Sequence, residues 1–156
     1  MWGIKMCTKT KKIFFETADI IIDNKNYLTK LDSAIGDGDH GINMARGFKK
    51  LKAKLDDTEY ESRSEIFKDS AMTLISNVGG ASGPLYGTAF LNISKIISDK
   101  GLNFDDLIEI AEEAVAGIQK RGNAETGEKT MLDTIIPAAE SLKESRKKEE
   151  NLNEAL

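Results

Sequence analysis

The sequence predicts an all-α protein, an antiparallel up-and-down helical bundle or barrel of about six helices. Three observations predict it. Apolar residues recur at helical spacing through almost every long segment, strict apolar and polar alternation never lasts long enough for a strand, and glycine or polar clusters mark the breaks. The apolar stripes run in order through Phe14, Ala18, Ile21 and Ile22; Met44, Phe48, Leu51 and Leu55; Phe67, Ala71, Leu74 and Val78; and Leu85, Ala89, Ile93 and Ile97. Two more follow, through Phe104, Leu107, Ile108, Ala111, Val115 and Ile118, then Met131, Ile135, Ala138 and Leu142. Between them lie Gly36 and Gly38, Asp56-Asp57, Gly79-Gly80, Lys100-Gly101 and the segment from Gly122 to Gly127. The charged run from Lys143 to Glu150 returns to Leu152, Ala155 and Leu156, as another helix would begin.

A chain of 156 residues is expected to form a single domain, residues 1–156, around one core. With 40% hydrophobic and 31% charged residues, the composition excludes both a disordered chain and a membrane-embedded one. The basic N-terminus lacks the apolar stretch of a secretory signal, because Glu16 and Asp19 interrupt Ile13 to Ile22, so a cytoplasmic protein is expected. The lone Cys7 fits a reducing compartment and is expected to be a bystander thiol. A net charge of −4 with scattered Lys and Arg removes the electrostatic footprint of a nucleic-acid partner, and no segment suits a membrane.

The stretch from Leu31 to Asn43 carries the chemistry. It sets Asp32, Asp37 and Asp39 among Gly36, Gly38 and Gly41 at the entrance to a helix. Residues two apart on a helix point to nearly opposite sides, whereas a glycine-permitted loop can aim Asp37 and Asp39 at one point. Carboxylates held that close repel by about 4 kcal/mol per pair at ~4 Å and an effective dielectric near 20, and a divalent cation reverses that cost. The donors are all oxygen, no Cys is near and His40 is the single histidine, so Mg²⁺ or Ca²⁺ is expected rather than zinc. An EF-hand is excluded: counted from Asp32, its third and fifth positions are Ala34 and Gly36, and counted from Asp37, its last position is Phe48. Gly36, Gly38 and Gly41 spell GxGxxG, but no apolar strand precedes them, and carboxylates inside the turn would repel a bare pyrophosphate. A single Asp-Gly-Asp is commonly a solvated turn; the third carboxylate and the third glycine favour the metal reading here.

Two further glycine segments complete the pattern. In Gly79 to Gly87, Ser82 is expected to cap a helix, Pro84 fits its first turn, and backbone N–H groups can approach phosphate oxygens closely. No Lys follows as a P-loop requires, and a tight helix–helix corner explains the same residues. From Arg121 to Thr130, Arg121 and Lys129 offer cations on a flexible connection, and Met131 is a candidate for contact with a base.

Taken together, Leu31-Asp32, Ile35 to Gly41, Asn43-Met44 and Arg46-Gly47-Phe48, then Gly79 to Gly87, then Arg121-Gly122, Ala124-Glu125, Gly127, Lys129-Thr130-Met131 and Asp133 closely resemble the nucleotide-binding L subunit of bacterial dihydroxyacetone kinase. The resemblance spans roughly residues 12–143. It implies a barrel of antiparallel helices, eight in the full family fold, with ADP or ATP at one end. It implies that Asp32, Asp37 and Asp39 hold two Mg²⁺ ions bridging the phosphates. His40, Gly41, Ile42 and Asn43, with Ala81 and Ser82, would line the phosphate side, and Gly122 and Met131 would lie near the nucleoside. The implied partners are a dihydroxyacetone-binding K subunit and, where a phosphotransferase system supplies the phosphoryl group, a phosphohistidine-carrying M subunit. Family members continue for two further helices and a loop containing glycine and arginine, so the chain is expected to lack a C-terminal part. Two rival readings remain: the nucleotide-binding domain of fatty-acid kinases, which usually carries threonine where His40 stands, and a non-catalytic helical interaction module.

Overall fold

The computed structural model describes residues 2–148, with side chains from Met6 onward. The described residues form helices without strands. These are α1 (Trp2–Asp23), α2 (Lys25–Asp32), α3 (His40–Asp56), α4 (Arg63–Asn77), α5 (Ser82–Ile96), α6 (Phe104–Gly122) and α7 (Leu132–Lys147). The expected helix start at Leu152, Ala155 and Leu156 lies outside the described residues.

Among the described residues seven helices stand where the periodicity predicts about six, because the first amphipathic segment is followed by the separate α2. Asn24 makes the break. Its side-chain Nδ2 donates to the Ile20 carbonyl at 2.9 Å, alongside its own backbone N–H at 3.1 Å. Such local side-chain bonds compete with a continuing helix, and they set the eight residues of α2 apart.

From α3 onward each helix packs on the next, and α1 lies across α3 and α4. The core sits where α1, α3, α4 and α5 meet. Leu51, Leu55, Ile66 and Leu74 are fully buried there, and Phe14, Phe67 and Phe90 pack edge to face with ring centroids 5.1–5.7 Å apart. Cys7 is buried in this core, and desolvation pushes its thiol up, so it is an inert packing residue. A smaller cluster around Ala89, Ile118 and Leu132 joins α5, α6 and α7. At α7 the N-cap Met131 and Ile135 pack against this cluster as expected, but the most buried residues are Leu132 and Ala139, one position along from the expected Met131 and Ala138, and Ala138 is exposed. Spacings of three and four fit either face, and the contact with α6 selects between them. Among the described residues no helix is long and apolar enough to cross a membrane.

One close approach positions the site. The short α2 lies against the start of α3 at Gly41, where an added Cβ would collide with the Lys25 carbonyl oxygen and stand 2.5 Å from Thr29 Oγ1 and 2.6 Å from Thr29 N. Only a residue without a side chain allows the two backbones to meet there. Gly41→Ala is therefore expected to destabilise the fold by about 1–3 kcal/mol in urea unfolding. A variant as stable as the wild type would contradict this packing.

Candidate functional site

The acidic segment is a compact loop closed by its own carboxylates. At the end of α2 the carbonyl of Asp32 accepts from Ile35 N at 3.0 Å and Gly36 N at 2.6 Å, which turns the chain back. Gly38, at φ +76°, supplies the left-handed residue that the return needs. His40 N then donates to Asp32 Oδ2 at 3.1 Å, tying the start of α3 to the end of α2. Asp39 N donates to Asp37 Oδ1 at 3.3 Å. Asp39 occupies the N-cap of α3, yet its side chain makes no capping bond. Its carboxylate is left for another use.

The consequence is a shared focus. One carboxylate oxygen each from Asp32, Asp37 and Asp39 lies within 4.8 Å of the others, Asp32 half-buried and the other two exposed. Opposite oxygens stand about 4.2 Å apart around Mg²⁺ and about 4.8 Å apart around Ca²⁺, so an all-oxygen donor set at this spacing is of the size that suits a hard divalent cation. Asp32 and Asp37 each use one oxygen to fix the loop and keep the second, which is how a carboxylate both shapes a site and remains a ligand.

The phosphate-side residues expected from the sequence also meet. His40, Gly41, Ile42 and Asn43 form the first turn of α3, at the positive end of the helix dipole; His40 N is taken by Asp32 and Asn43 N donates to the Asp39 carbonyl at 2.9 Å, so the N–H groups of Gly41 and Ile42 are the ones that precede the intrahelical ladder. The α4–α5 connection comes alongside, with Ser82 Oγ and His40 Nδ1 3.2 Å apart. This corrects the expected capping role of Ser82. The N-cap of α5 is Ala81, which makes no side-chain cap, and Ser82 is the first helical residue, its hydroxyl engaged by His40 across the site. Pro84 sits in the first turn as expected.

Ala81 links this polar end to an apolar cavity of about 450 Å³ lined also by Leu85, Ile118, Gly122, Met131 and Leu132, with Arg121 and Thr130 at its polar edge. Its size and lining suit a planar organic ring system. Gly122 and Met131 are thus brought into one wall system with Ala81, and of the two expected cations Arg121 lines the cavity, whereas Lys129 does not. Lys129 is exposed and held at φ +60°, an uncommon conformation for a residue with a side chain.

The loop leading to α7 is organised by Asp133. Its carboxylate accepts from Gly127 N at 2.5 Å and Thr130 N at 3.0 Å, and these bonds hold the carboxyl below its ordinary value of 3.8. Asp133 was not among the expected site residues, although its place three residues after Thr130 is a capping spacing. Arg46 was also missed: Nη2 donates to Asn43 Oδ1 at 2.8 Å and Nε to the Asn77 carbonyl at 3.0 Å.

Comparison with known proteins adds the following. The model of the DAK2 domain family matches residues 34–156. The chain is 49% identical over 120 residues to the PEP-dependent dihydroxyacetone kinase 1, ADP-binding subunit DhaL, of Listeria innocua, covering 77% of this chain and 61% of that protein. It is 48% identical to the PTS-dependent dihydroxyacetone kinase, ADP-binding subunit DhaL, of Lactococcus lactis, covering 87% of this chain and 69% of that protein. With the PEP-dependent counterpart of Escherichia coli the identity is 43%, over 86% of this chain and 64% of the other. The chain therefore spans between 61% and 69% of the length of these relatives. Among solved structures, the dihydroxyacetone kinase of C. freundii superposes with a TM-score of 0.74 at 25% identity, over 90% of this chain and 26% of that one. That likeness agrees with the all-helical fold.

The Asp133 bonds give a test of the loop beneath the cavity. A carboxyl whose folded value lies below its unfolded one contributes stability above the unfolded value, and that contribution is lost as pH falls through the folded value. Hydrogen exchange is expected to show the Gly127 and Thr130 amides protected at neutral pH, with protection lost in acid below about 3.8. Asp133→Asn should remove that protection at neutral pH, and unchanged protection would contradict the assignment.

Proposed function

The chain belongs to the DAK2 domain family, and from that premise we propose that it is the ADP-binding, magnesium-dependent subunit of a dihydroxyacetone kinase. The observation that carries the proposal is the convergence of Asp32, Asp37 and Asp39 beside the N-terminus of α3. Asp32, Asp37 and Asp39 hold two Mg²⁺ ions. His40, Gly41, Ile42, Asn43, Ala81 and Ser82 receive the phosphates, and the nucleoside of ADP or ATP lies in the cavity against Gly122 and Met131. The presence of His40 where fatty-acid kinases usually carry threonine favours the dihydroxyacetone branch.

The reaction is phosphoryl transfer, which needs position and charge neutralisation rather than a covalent protein nucleophile. Magnesium, when bound, neutralises charge on the phosphate oxygens. The chain's own part is to orient. The first-turn amides of α3 present a fixed positive dipole end, and the Ser82–His40 pair keeps the α5 start in register with it. The acceptor, dihydroxyacetone, is carried by a K subunit. The PEP- and PTS-dependent names of the relatives support a phosphohistidine-bearing M subunit as the donor that restores the nucleotide. The whole acts as one domain in the cytoplasm, where a single buried thiol is at home.

Calorimetric titration of ADP with and without Mg²⁺ tests the reading. The wild-type chain is expected to bind ADP only when Mg²⁺ is present, and Asp37→Asn to abolish that binding while circular dichroism shows the helices retained. An Asp37→Asn variant with wild-type affinity would refute the carboxylate assignment.

A further inference from the structure

Arg46 lies one turn along α3 from Asn43, beside the end of α4. Its guanidinium bridges two acceptors, the carboxamide oxygen of Asn43 at 2.8 Å and the carbonyl of Asn77, the last residue of α4, at 3.0 Å. The second contact anchors the side chain at a helix C-terminus, where a cation is favoured. The first one decides an orientation. A guanidinium has only donors, so the oxygen of the Asn43 carboxamide must face it and the NH₂ group must face away. Asn43 is buried, and Gly79 closes over its carboxamide so tightly that an added Cβ would stand 2.7 Å from Oδ1 and 2.8 Å from Cγ. Without Arg46 the two ends of that carboxamide would be nearly equivalent, and a flip would present an oxygen to an anionic ligand. With Arg46 in place, the flip would lose a charge-assisted hydrogen bond and set two donors against each other.

We infer that Arg46 is a positioning residue of the nucleotide site: it locks the Asn43 carboxamide with its NH₂ group as a donor toward phosphate oxygens and contributes to affinity through Asn43 alone. The inference rests on the nucleotide-binding reading above. The feature is absent from the expected ligand set because Arg46 itself is turned toward Asn77, away from any ligand role of its own.

A double-mutant cycle separates positioning from plain structural support. Mg·ADP is titrated calorimetrically into the wild type, Arg46→Ala, Asn43→Ala and the double variant, with thermal unfolding followed in parallel. Arg46→Ala is expected to weaken Mg·ADP binding roughly tenfold. On the Asn43→Ala background the same change should have no further effect on affinity, because its route is already removed. Arg46→Lys keeps the charge and the aliphatic stem but lacks the rigid planar fork that donates from Nε to Asn77 and from Nη2 to Asn43, so it should also weaken binding, and it takes the place of the alanine variant if that one fails to fold. Additive losses in the cycle, or an Arg46 variant that binds as tightly as the wild type, overturn the inference and leave the nucleotide reading standing. A wild-type chain that binds no Mg·ADP overturns both.

Discussion

The hydrogen bond from His40 N to Asp32 Oδ2 closes the acidic loop, and the candidate site depends on that closure. Residues 32 and 40 belong to different helices, and the loop between them carries two more carboxylates. Left open, three like charges would move apart, since water screens them best at a distance. The bond to the His40 amide places one negative group at the positive end of α3, where it is stabilised, and draws Asp37 and Asp39 to the same side. The close packing of α2 on Gly41 makes this possible, because a bulkier residue there would hold the two helix ends apart.

Around that closure the site is assembled from segments distant in sequence. The start of α3 brings polar backbone groups, the start of α5 brings Ala81 and Ser82, and the connection from α6 to α7 brings Gly122 and Met131 to an apolar wall. Ala81 lines the apolar cavity and adjoins Ser82, whose hydroxyl meets His40, so the cavity and the start of α3 are neighbours across the beginning of α5. The bundle serves as a scaffold. Its core of Leu51, Leu55, Ile66 and Leu74 lies among α3 and α4, and the functional residues lie at helix ends, where backbone groups are free to act.

Much of this was legible in the chain because it is local. The apolar stripes give the helices, and Asp32, Asp37, Asp39 with their interleaved glycines give the loop, since ligand geometry there is fixed within a few residues. What escaped the sequence depends on tertiary neighbours or on competition between local bonds. Asn24 divides the first amphipathic segment from α2 through side-chain bonds that leave periodicity untouched. Ser82 reads as a cap until His40, 42 residues away in sequence, is seen to take its hydroxyl. Arg46 looks like an ordinary exposed helix cation, and only the position of Asn77 at the end of α4 reveals what holds it. Ala138 and Ala139 are equally plausible as the buried residue of α7 until α6 selects one.

The central claim of the proposal is that Asp32, Asp37 and Asp39 together hold the magnesium that would engage the nucleotide phosphates. The most direct measurement is a crystal structure of the chain grown with Mn²⁺ in place of Mg²⁺ and with ADP, with anomalous scattering used to locate the metal. The account predicts anomalous density enclosed by the Asp32, Asp37 and Asp39 side chains and in contact with the diphosphate. Density confined to other places, with those three side chains turned apart into solvent, would contradict it.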